Sequence, residues 1–171
     1  MAGEAKGRTG KPSERRLKPE RPRDDLGRPQ PWEAENRLHL EDFDNLPLEE
    51  NHRLGAQHFN AGRYFPAHEA WETAWKQARD TDEAEFFKGL SQLGAGYVHL
   101  LRGNRHGAVT LLRRGAGRVG RYELGHRGVD TEALAEGAEA DAAAVEAGEL
   151  EPGDGASVTP PRVGTGYGSA T

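Results

Sequence analysis

The sequence predicts an all-α fold, a compact bundle of about five antiparallel helices with disordered N- and C-terminal tails. Apolar residues recur at helical spacing in successive segments through the middle of the chain. Glycine, asparagine and aspartate separate these segments in short links, as they do between the helices of a bundle. No segment shows the strict alternation of apolar and polar residues that marks a half-buried strand.

The first two predicted helices cover residues 47–61 and 66–79. Pro47 suits the first position of a helix, because a backbone N–H at that position has no partner within the helix. Gly62 suits the left-handed residue that commonly follows the end of a helix. A short link then joins the two helices, so we expect them to be neighbours.

The third predicted helix, residues 83–102, is the longest and the most apolar. Its apolar stripe at helical spacing consists of Phe86, Leu90, Leu93, Tyr97, Leu100 and Leu101. The fourth helix covers residues 105–122, with Asn104 as its N-cap. The fifth begins at Asp130 and Thr131 and continues to about residue 147.

Three glycines of the third helix, Gly89, Gly96 and Gly103, recur at intervals of seven and therefore lie in one row. A glycine inside a helix costs up to about 1 kcal/mol, so such a row needs a compensating contact. We expect helix two to pack closely there, with Trp71 or Trp75 over the glycines. On this interpretation Gly96→Leu is strongly destabilising.

Helix two carries a mixture of charged and aromatic residues around His68, Glu69 and Glu72. At about 100° per residue these three side chains fall on one face of the helix. Buried charge is costly unless it is paired, so the mixture marks a candidate site. On helix three, Gln92 and His99 flank the glycine row, and we expect them to complete the polar cluster. The predicted walls of the cluster are Asn60, Tyr64, Phe65, Trp71 and Trp75.

The uneven distribution of apolar residues predicts three regions. Residues 1–40 form a flexible arm rich in proline and arginine, in which basic residues outnumber acidic ones. Residues 41–148 form the helical domain. Residues 149–171 form a flexible tail rich in glycine, proline, serine and threonine. Neither end has enough apolar side chains to offset the entropy lost on ordering.

Composition narrows the classes of function. No apolar run approaches the roughly 20 residues that cross a bilayer, and no secretory signal is visible, so we expect a cytoplasmic protein without membrane contact. The absence of cysteine excludes disulfides and leaves nitrogen and oxygen as the ligands available to a metal. The net charge of -5 at pH 7 argues against bulk binding of nucleic acid.

Three blocks of residues resemble a known family. The first block runs Phe59-Asn60-x-Gly62-x-Tyr64-Phe65-x-x-His68-Glu69-x-Trp71-Glu72-x-x-Trp75. The second and third run Phe87-x-Gly89-Leu90-x-Gln92-x-x-Ala95 and Arg102-Gly103-Asn104-x-x-Gly107-Ala108. In this order they resemble the small all-helical family catalogued as domain of unknown function 309, over about residues 50–125. The resemblance implies a compact helical bundle without an established activity, and it supplies no catalytic residues.

The pair His68 and Glu72 invites comparison with the H-E-x-x-H pattern of zinc proteases, because residues four apart share a helix face. A glutamate stands where the second histidine would be, and a catalytic zinc needs three protein ligands. His58 or His99 could supply the third only through a tertiary contact. We therefore predict no cofactor, and instead a buried network of His68, Glu72 and Gln92 that sets the helix register. A divalent metal at His68 and Glu72 is the alternative.

Helix four presents a basic stripe of three residues, Arg114, Arg118 and Arg121, at positions i, i+4 and i+7. These are candidate anion-binding residues, and together with the basic arm they could meet phosphates. Aromatic residues do not interleave with the stripe, which argues against a binding site for single-stranded nucleic acid.

These observations predict a non-catalytic binding or scaffold domain whose partner is an unknown protein or small ligand. The alternative is a small hydrolase, metal-assisted, that uses the same cluster; a third interpretation is weak nucleic-acid contact through the arm and the basic stripe. A homo-oligomer is also left open. The geometry of the cluster distinguishes the scaffold domain from the hydrolase. The hydrolase is favoured if His68, Glu72 and a third ligand converge within about 2.0–2.2 Å of a common point that is open to solvent. The scaffold is favoured if each makes only protein hydrogen bonds and no cavity adjoins the cluster.

Overall fold

The computed structural model describes residues 19–165 and confirms the all-α fold class. The described residues form five α-helices and no β-strand. Two short 3-10 turns, Phe43–Asn45 and His126–Gly128, lie outside the helices. The helices are α1 (Leu48–Asn60), α2 (Tyr64–Gln77), α3 (Ala84–Leu101), α4 (Arg105–Val119) and α5 (Thr131–Glu146).

Each helix packs against the one that follows it in the chain, as short links require. α3 contacts both α2 and α4 and forms the centre of the core. Its apolar stripe is removed from solvent except at Leu101, which is partly buried, and such burial is the main source of stability for a small domain. The fully buried side chains on α3 include Phe86, Phe87, Leu90, Leu93 and Tyr97.

Local capping explains where α4 and α5 begin. The Asn104 side chain accepts a hydrogen bond from the backbone N–H of Gly107 at 3.0 Å. The Asp130 side chain accepts one from Ala133 at 2.9 Å. Gly103 follows α3 with φ of 83°, a left-handed conformation that glycine adopts without strain. The cap at Asn104 and the start of the fifth helix at Asp130 and Thr131 were predicted from the sequence.

Three helix boundaries differ from the predicted ones by two or three residues, and one of them is the end of α2, at Gln77 instead of residue 79. α2 begins at Tyr64 and not at Pro66, so the proline is the third residue of the helix. A proline is tolerated there because the first-turn N–H groups have no partner within the helix. α4 ends at Val119, before the predicted end at Tyr122.

The glycine row of α3 faces α4, so the prediction that helix two packs on this row is wrong. A Cβ atom added at Gly96 would lie 2.8 Å from the Leu112 side chain. One added at Gly89 would lie 2.9 Å from the Cβ atom of Arg118. Gly103 ends the helix and does not pack closely, because the nearest atom to its added Cβ is 4.0 Å away. The row therefore allows α3 and α4 to approach each other.

The tryptophans of α2 lie elsewhere. Trp71 is fully buried and packs on Gly55 of α1, where an added Cβ atom would meet the indole nitrogen at 2.6 Å. Trp75 is partly buried, and the Lys88 ammonium lies 5.2 Å from the centre of its ring. The close approach predicted for a tryptophan and a glycine thus occurs between α1 and α2.

The described part of the N-terminal arm, residues 19–40, is placed against the helices. Gly27 lies under the Phe65 ring, so close that an added Cβ atom would come within 2.4 Å of it. The guanidinium of Arg102 donates to the carbonyl oxygen of Leu26, with Nε at 3.1 Å. A few specific contacts therefore order a segment whose composition predicts flexibility.

The described part of the C-terminal tail is held by several contacts, among them a backbone hydrogen bond from Gly153 N to the Leu100 carbonyl at 2.8 Å. Val163 is 3% exposed and belongs to the main core. Asn60 donates from Nδ2 to the Val163 carbonyl at 2.9 Å and accepts from the Val163 N–H at 2.7 Å. Asn60 thus contacts the tail and is not a wall of the polar cluster. The disorder predicted for residues 1–18 and 166–171 concerns parts of the chain outside the described residues.

Asn60→Ala is expected to release the tail and to lower the free energy of unfolding by about 1–2 kcal/mol, because it removes two hydrogen bonds. Urea denaturation measures the loss of stability, and limited proteolysis measures faster cleavage of the tail. Gln57→Ala is the matched control, since Gln57 is an exposed residue of the same helix that bonds Arg53. Equal proteolysis of both variants would contradict the prediction.

Candidate functional site

Three side chains of α2 converge on one point at its surface. His68 Nε2 lies 3.9 Å from Glu69 Oε1 and 3.7 Å from Glu72 Oε2. The side chains are between a quarter and about a third exposed, at 25% for the histidine and 34% for each glutamate. One ligand atom from each residue lies within 4.8 Å of the others. The third convergent group is Glu69, the immediate neighbour of His68 in sequence.

The other ring nitrogen of His68 is fixed by α3. His68 Nδ1 lies 2.9 Å from the carbonyl oxygen of Ser91 and 2.9 Å from its hydroxyl. A carbonyl oxygen only accepts, so Nδ1 carries a hydrogen, and Nε2 is the ring nitrogen that faces the two carboxylates. Gly94 makes the contact possible, because an added Cβ atom would lie 3.0 Å from the His68 backbone nitrogen.

The cluster carries an excess of negative charge. Glu69 and Glu72 face the single imidazole of His68, and Lys76 Nζ lies 4.0 Å from Glu72 Oε1. The lysine is 57% exposed, so water screens most of its attraction for the carboxylate. Two partly buried carboxylates beside one exposed ammonium group are the residue types that could hold a cation here.

An open cavity of about 750 Å³ adjoins the cluster. Glu69 and Phe65 line it from α2, and the described part of the N-terminal arm forms the opposite wall. The Phe65 ring also meets the imidazole of His68 edge-on, with the ring centres 6.3 Å apart. Of the aromatic walls predicted from the sequence, Phe65 is therefore the one whose ring contacts His68.

The two residues of α3 predicted to complete the cluster bond elsewhere. Gln92 accepts a hydrogen bond from Arg118 at 3.0 Å, on the side that faces α4. His99 Nδ1 lies 2.9 Å from the side-chain nitrogen of Asn104. Burial lowers the pKa of His99, and the nearby Arg102 acts in the same direction. The predicted His–Glu–Gln network does not form, and Ser91 takes the place of Gln92.

Two more of the predicted walls, Tyr64 and Trp71, point into the core, whereas Trp75 is only partly buried. Tyr64 stacks on Tyr97 with their ring centres 5.0 Å apart. The Tyr97 hydroxyl donates to Asp141 at 2.6 Å, and burial raises the pKa of that carboxyl group. Trp71 donates from its indole nitrogen to His52 Nδ1 at 3.1 Å. These aromatic residues support the helix that carries the cluster without contacting the cluster itself.

His52 is a buried polar residue that was not among the predicted site residues. It is 2% exposed, and its Nε2 lies 3.2 Å from the carbonyl oxygen of Arg127. Burial lowers its pKa to about 4. Its position four and seven residues before Ala56 and Phe59 places it on the buried face of α1, and this spacing was the available signal.

The three arginines of the basic stripe differ in their surroundings. Arg118 donates to Glu85 at 2.9 Å and also to Gln92, so its charge is paired across to α3. Arg114 and Arg121 are exposed. The three arginines predicted as an anion site therefore do not act alike.

Comparison with known families gives one match. The sequence model of the family described as domain of unknown function (DUF309) matches residues 53–111 and so confirms the resemblance noted in the sequence. The match begins in α1, ends in α4, and includes the His68 cluster and Ser91. Neither the curated proteins nor the solved structures searched contain a match. No described helix has both the length and the apolar character needed to span a membrane.

Proposed function

We propose that this chain, whose residues 53–111 match DUF309, is a binding domain that holds a divalent cation between His68, Glu69 and Glu72. The observation that carries the proposal is the convergence of three ligand atoms, each within 4.8 Å of the others, at a partly exposed point. The cavity beside Glu69 leaves the remaining coordination positions open to water or a ligand.

The spacing of the three groups supports this proposal. Ligands about 2.1 Å from a tetrahedral zinc lie roughly 3.4 Å from one another. The separations of 3.7 and 3.9 Å between His68 and the two carboxylates need only a small closing rotation. One imidazole with two carboxylates is a suitable donor set for Zn²⁺ or Mn²⁺.

The surroundings of the cluster support it as well. Histidines that bind metals usually donate their other ring N–H to a carbonyl or carboxylate, which fixes the ring. Ser91 provides such a carbonyl for His68 at 2.9 Å. The ligands lie on one helix turn backed by the buried core, so little entropy is lost when they close on an ion.

We prefer a binding role to the competing function, metal-assisted hydrolysis. A hydrolase needs a general base beside the metal-bound water. If Glu69 and Glu72 are both ligands, neither carboxylate is free for that role, and the nearby His99 bonds Asn104. Weak nucleic-acid contact is favoured less, because Arg118 is paired with Glu85.

Protein purified without an affinity tag is expected to carry about one divalent ion per chain by elemental analysis, and His68→Ala is expected to lose it. Calorimetric titration of stripped protein with Zn²⁺ and with Mn²⁺ measures the affinity directly. We expect the loss of one of three ligands to weaken binding by at least about 100-fold. His106→Ala is the control, since it removes an exposed histidine on α4. Equal affinities for the two variants, or no binding by the wild-type chain, would refute the proposal.

A further inference from the structure

The segment of the N-terminal arm that lines the cavity is held in place by its own hydrogen bonds. Its arm side is organised by backbone bonds from Gln30 N to Pro22 O at 2.8 Å and from Arg37 N to Arg23 O at 2.9 Å. The Asn36 side chain accepts from the Arg23 N–H at 2.9 Å. These bonds hold the stretch of chain that carries two arginines of the cavity lining.

The arm is also attached to the bundle at the edge of the cavity. Phe65, which lines the cavity, covers Gly27 so closely that no side chain fits there. Arg102 donates to the Leu26 carbonyl from the end of α3. The cavity is therefore preformed, as small-molecule sites usually are.

Arg21 and Arg23 line this cavity, and neither forms an ion pair within the described residues. Arg21 donates from Nε to the Gln30 carbonyl at 2.6 Å, and its guanidinium lies over the Trp32 ring at 6.0 Å. Arg23 donates from Nη1 to the Gly27 carbonyl at 2.7 Å. Each contact uses one donor of a guanidinium that has five, so both groups are oriented and still have N–H groups to offer.

The charge of the lining depends on the cation. Two arginines, Arg21 and Arg23, are matched by two glutamates, Glu20 and Glu69, and His39 lies among them. A divalent cation on Glu69 leaves the cavity with an excess of positive charge. Guanidinium groups and a metal ion with open positions together favour a ligand with oxyanion groups.

Resting on the proposed function, we propose that the cavity binds a small anionic ligand whose carboxylate or phosphate oxygens bridge the cation and the guanidinium groups of Arg21 and Arg23. The volume of about 750 Å³ lies in the range of sites that hold small molecules. Leu38, Leu40 and Phe65 supply apolar contacts beside the charged groups. The ligand class is therefore a small organic acid or phosphate compound.

Calorimetry with the full chain tests this inference with two probes, inorganic phosphate and malonate. Each is titrated into protein loaded with its cation, after unbound metal is removed, and into metal-free protein. We expect at least one probe to bind the loaded protein at least about tenfold more tightly than the metal-free protein. The probe that binds more tightly shows whether the site prefers a phosphate or a carboxylate ligand.

The variants Arg21→Gln and Arg23→Gln are expected to weaken binding of the anion at least tenfold and to leave the affinity for the cation unchanged. Arg79→Gln, at an exposed arginine just after the end of α2, is expected to change neither. If the cation binds but neither probe does, or if both cavity variants bind the anion like wild type, this inference alone is overturned. If the cation itself does not bind, the proposed function fails first.

Discussion

Replacing Gly96 by leucine is expected to lower the free energy of unfolding by about 3 kcal/mol or more, measured by urea denaturation. A single added Cβ atom would already lie 2.8 Å from the Leu112 side chain and 3.0 Å from the Leu112 backbone nitrogen. The rest of the leucine has no space between α3 and α4, so the two central helices must separate. Overpacking of a dense core costs 1–3 kcal/mol in ordinary cases and more where backbone must move.

Gly117→Ala is the matched control for this effect. Gly117 lies in the interior of α4, and an added Cβ atom there would meet nothing within 4 Å. The substitution is therefore expected to raise stability by up to about 1 kcal/mol through helix propensity. A Gly96→Leu protein within about 1 kcal/mol of wild type would show that α3 and α4 are not in close contact.

Acid is expected to destabilise the protein through His52. Its pKa falls to about 4 because the ring is buried, whereas an exposed histidine titrates near 6.5. As the pH falls from about 6.5 to about 4, the unfolded chain takes up a proton that the folded chain does not. The free energy of unfolding therefore falls by about 3 kcal/mol across this pH range. At pH values above about 6.5, His52 adds no pH dependence.

The structure shows why the folded state excludes that proton. His52 Nδ1 accepts the indole N–H of Trp71, so protonating Nδ1 would place two donors against each other. His52→Gln is the control, because its side chain can accept and donate without titrating. Urea midpoints between pH 4 and pH 7 should fall less for this variant than for wild type. Parallel pH profiles would show that His52 does not cause the loss.

Other groups titrate in the same experiment, which is why the comparison with His52→Gln is needed. Hydrogen bonds from Arg127 lower the pKa of Glu83, so its stabilising contribution is also lost as the pH falls, but at a lower pH. Burial raises the pKa of Asp141, and this acts in the opposite direction. Both groups are present in wild type and variant, so their effects cancel in the difference.

Much of the local structure could be derived from the residues alone. Asn104 and Asp130 cap helices through their own side chains, and such contacts involve residues three positions apart. The convergence of His68 with Glu72 follows in the same way, because residues four apart meet on one helix face. Each of these predictions depends on helix geometry and not on the rest of the fold.

The partner of each helix face could not be derived in this way. Periodicity shows that Gly89 and Gly96 share a face, but not that α4 covers it. Neighbouring residues on a helix differ by about 100° in direction, so a modest rotation of α3 turns Ser91 toward His68 and Gln92 toward Arg118. This rotation is set by the packing of all the side chains between the helices.

The two ends of the chain also show the difference between what the local sequence predicts and what tertiary contacts decide. Their composition correctly indicates few apolar side chains, and from that average we predicted flexibility. Val163 in the core and Gly27 under Phe65 are nevertheless among the contacts that hold the inner parts of both ends. Composition and helix periodicity thus account for the helices and for the three convergent side chains of α2. The choice of packing partners and the cavity between the arm and α2 depend on contacts between residues far apart in sequence, which neither property encodes.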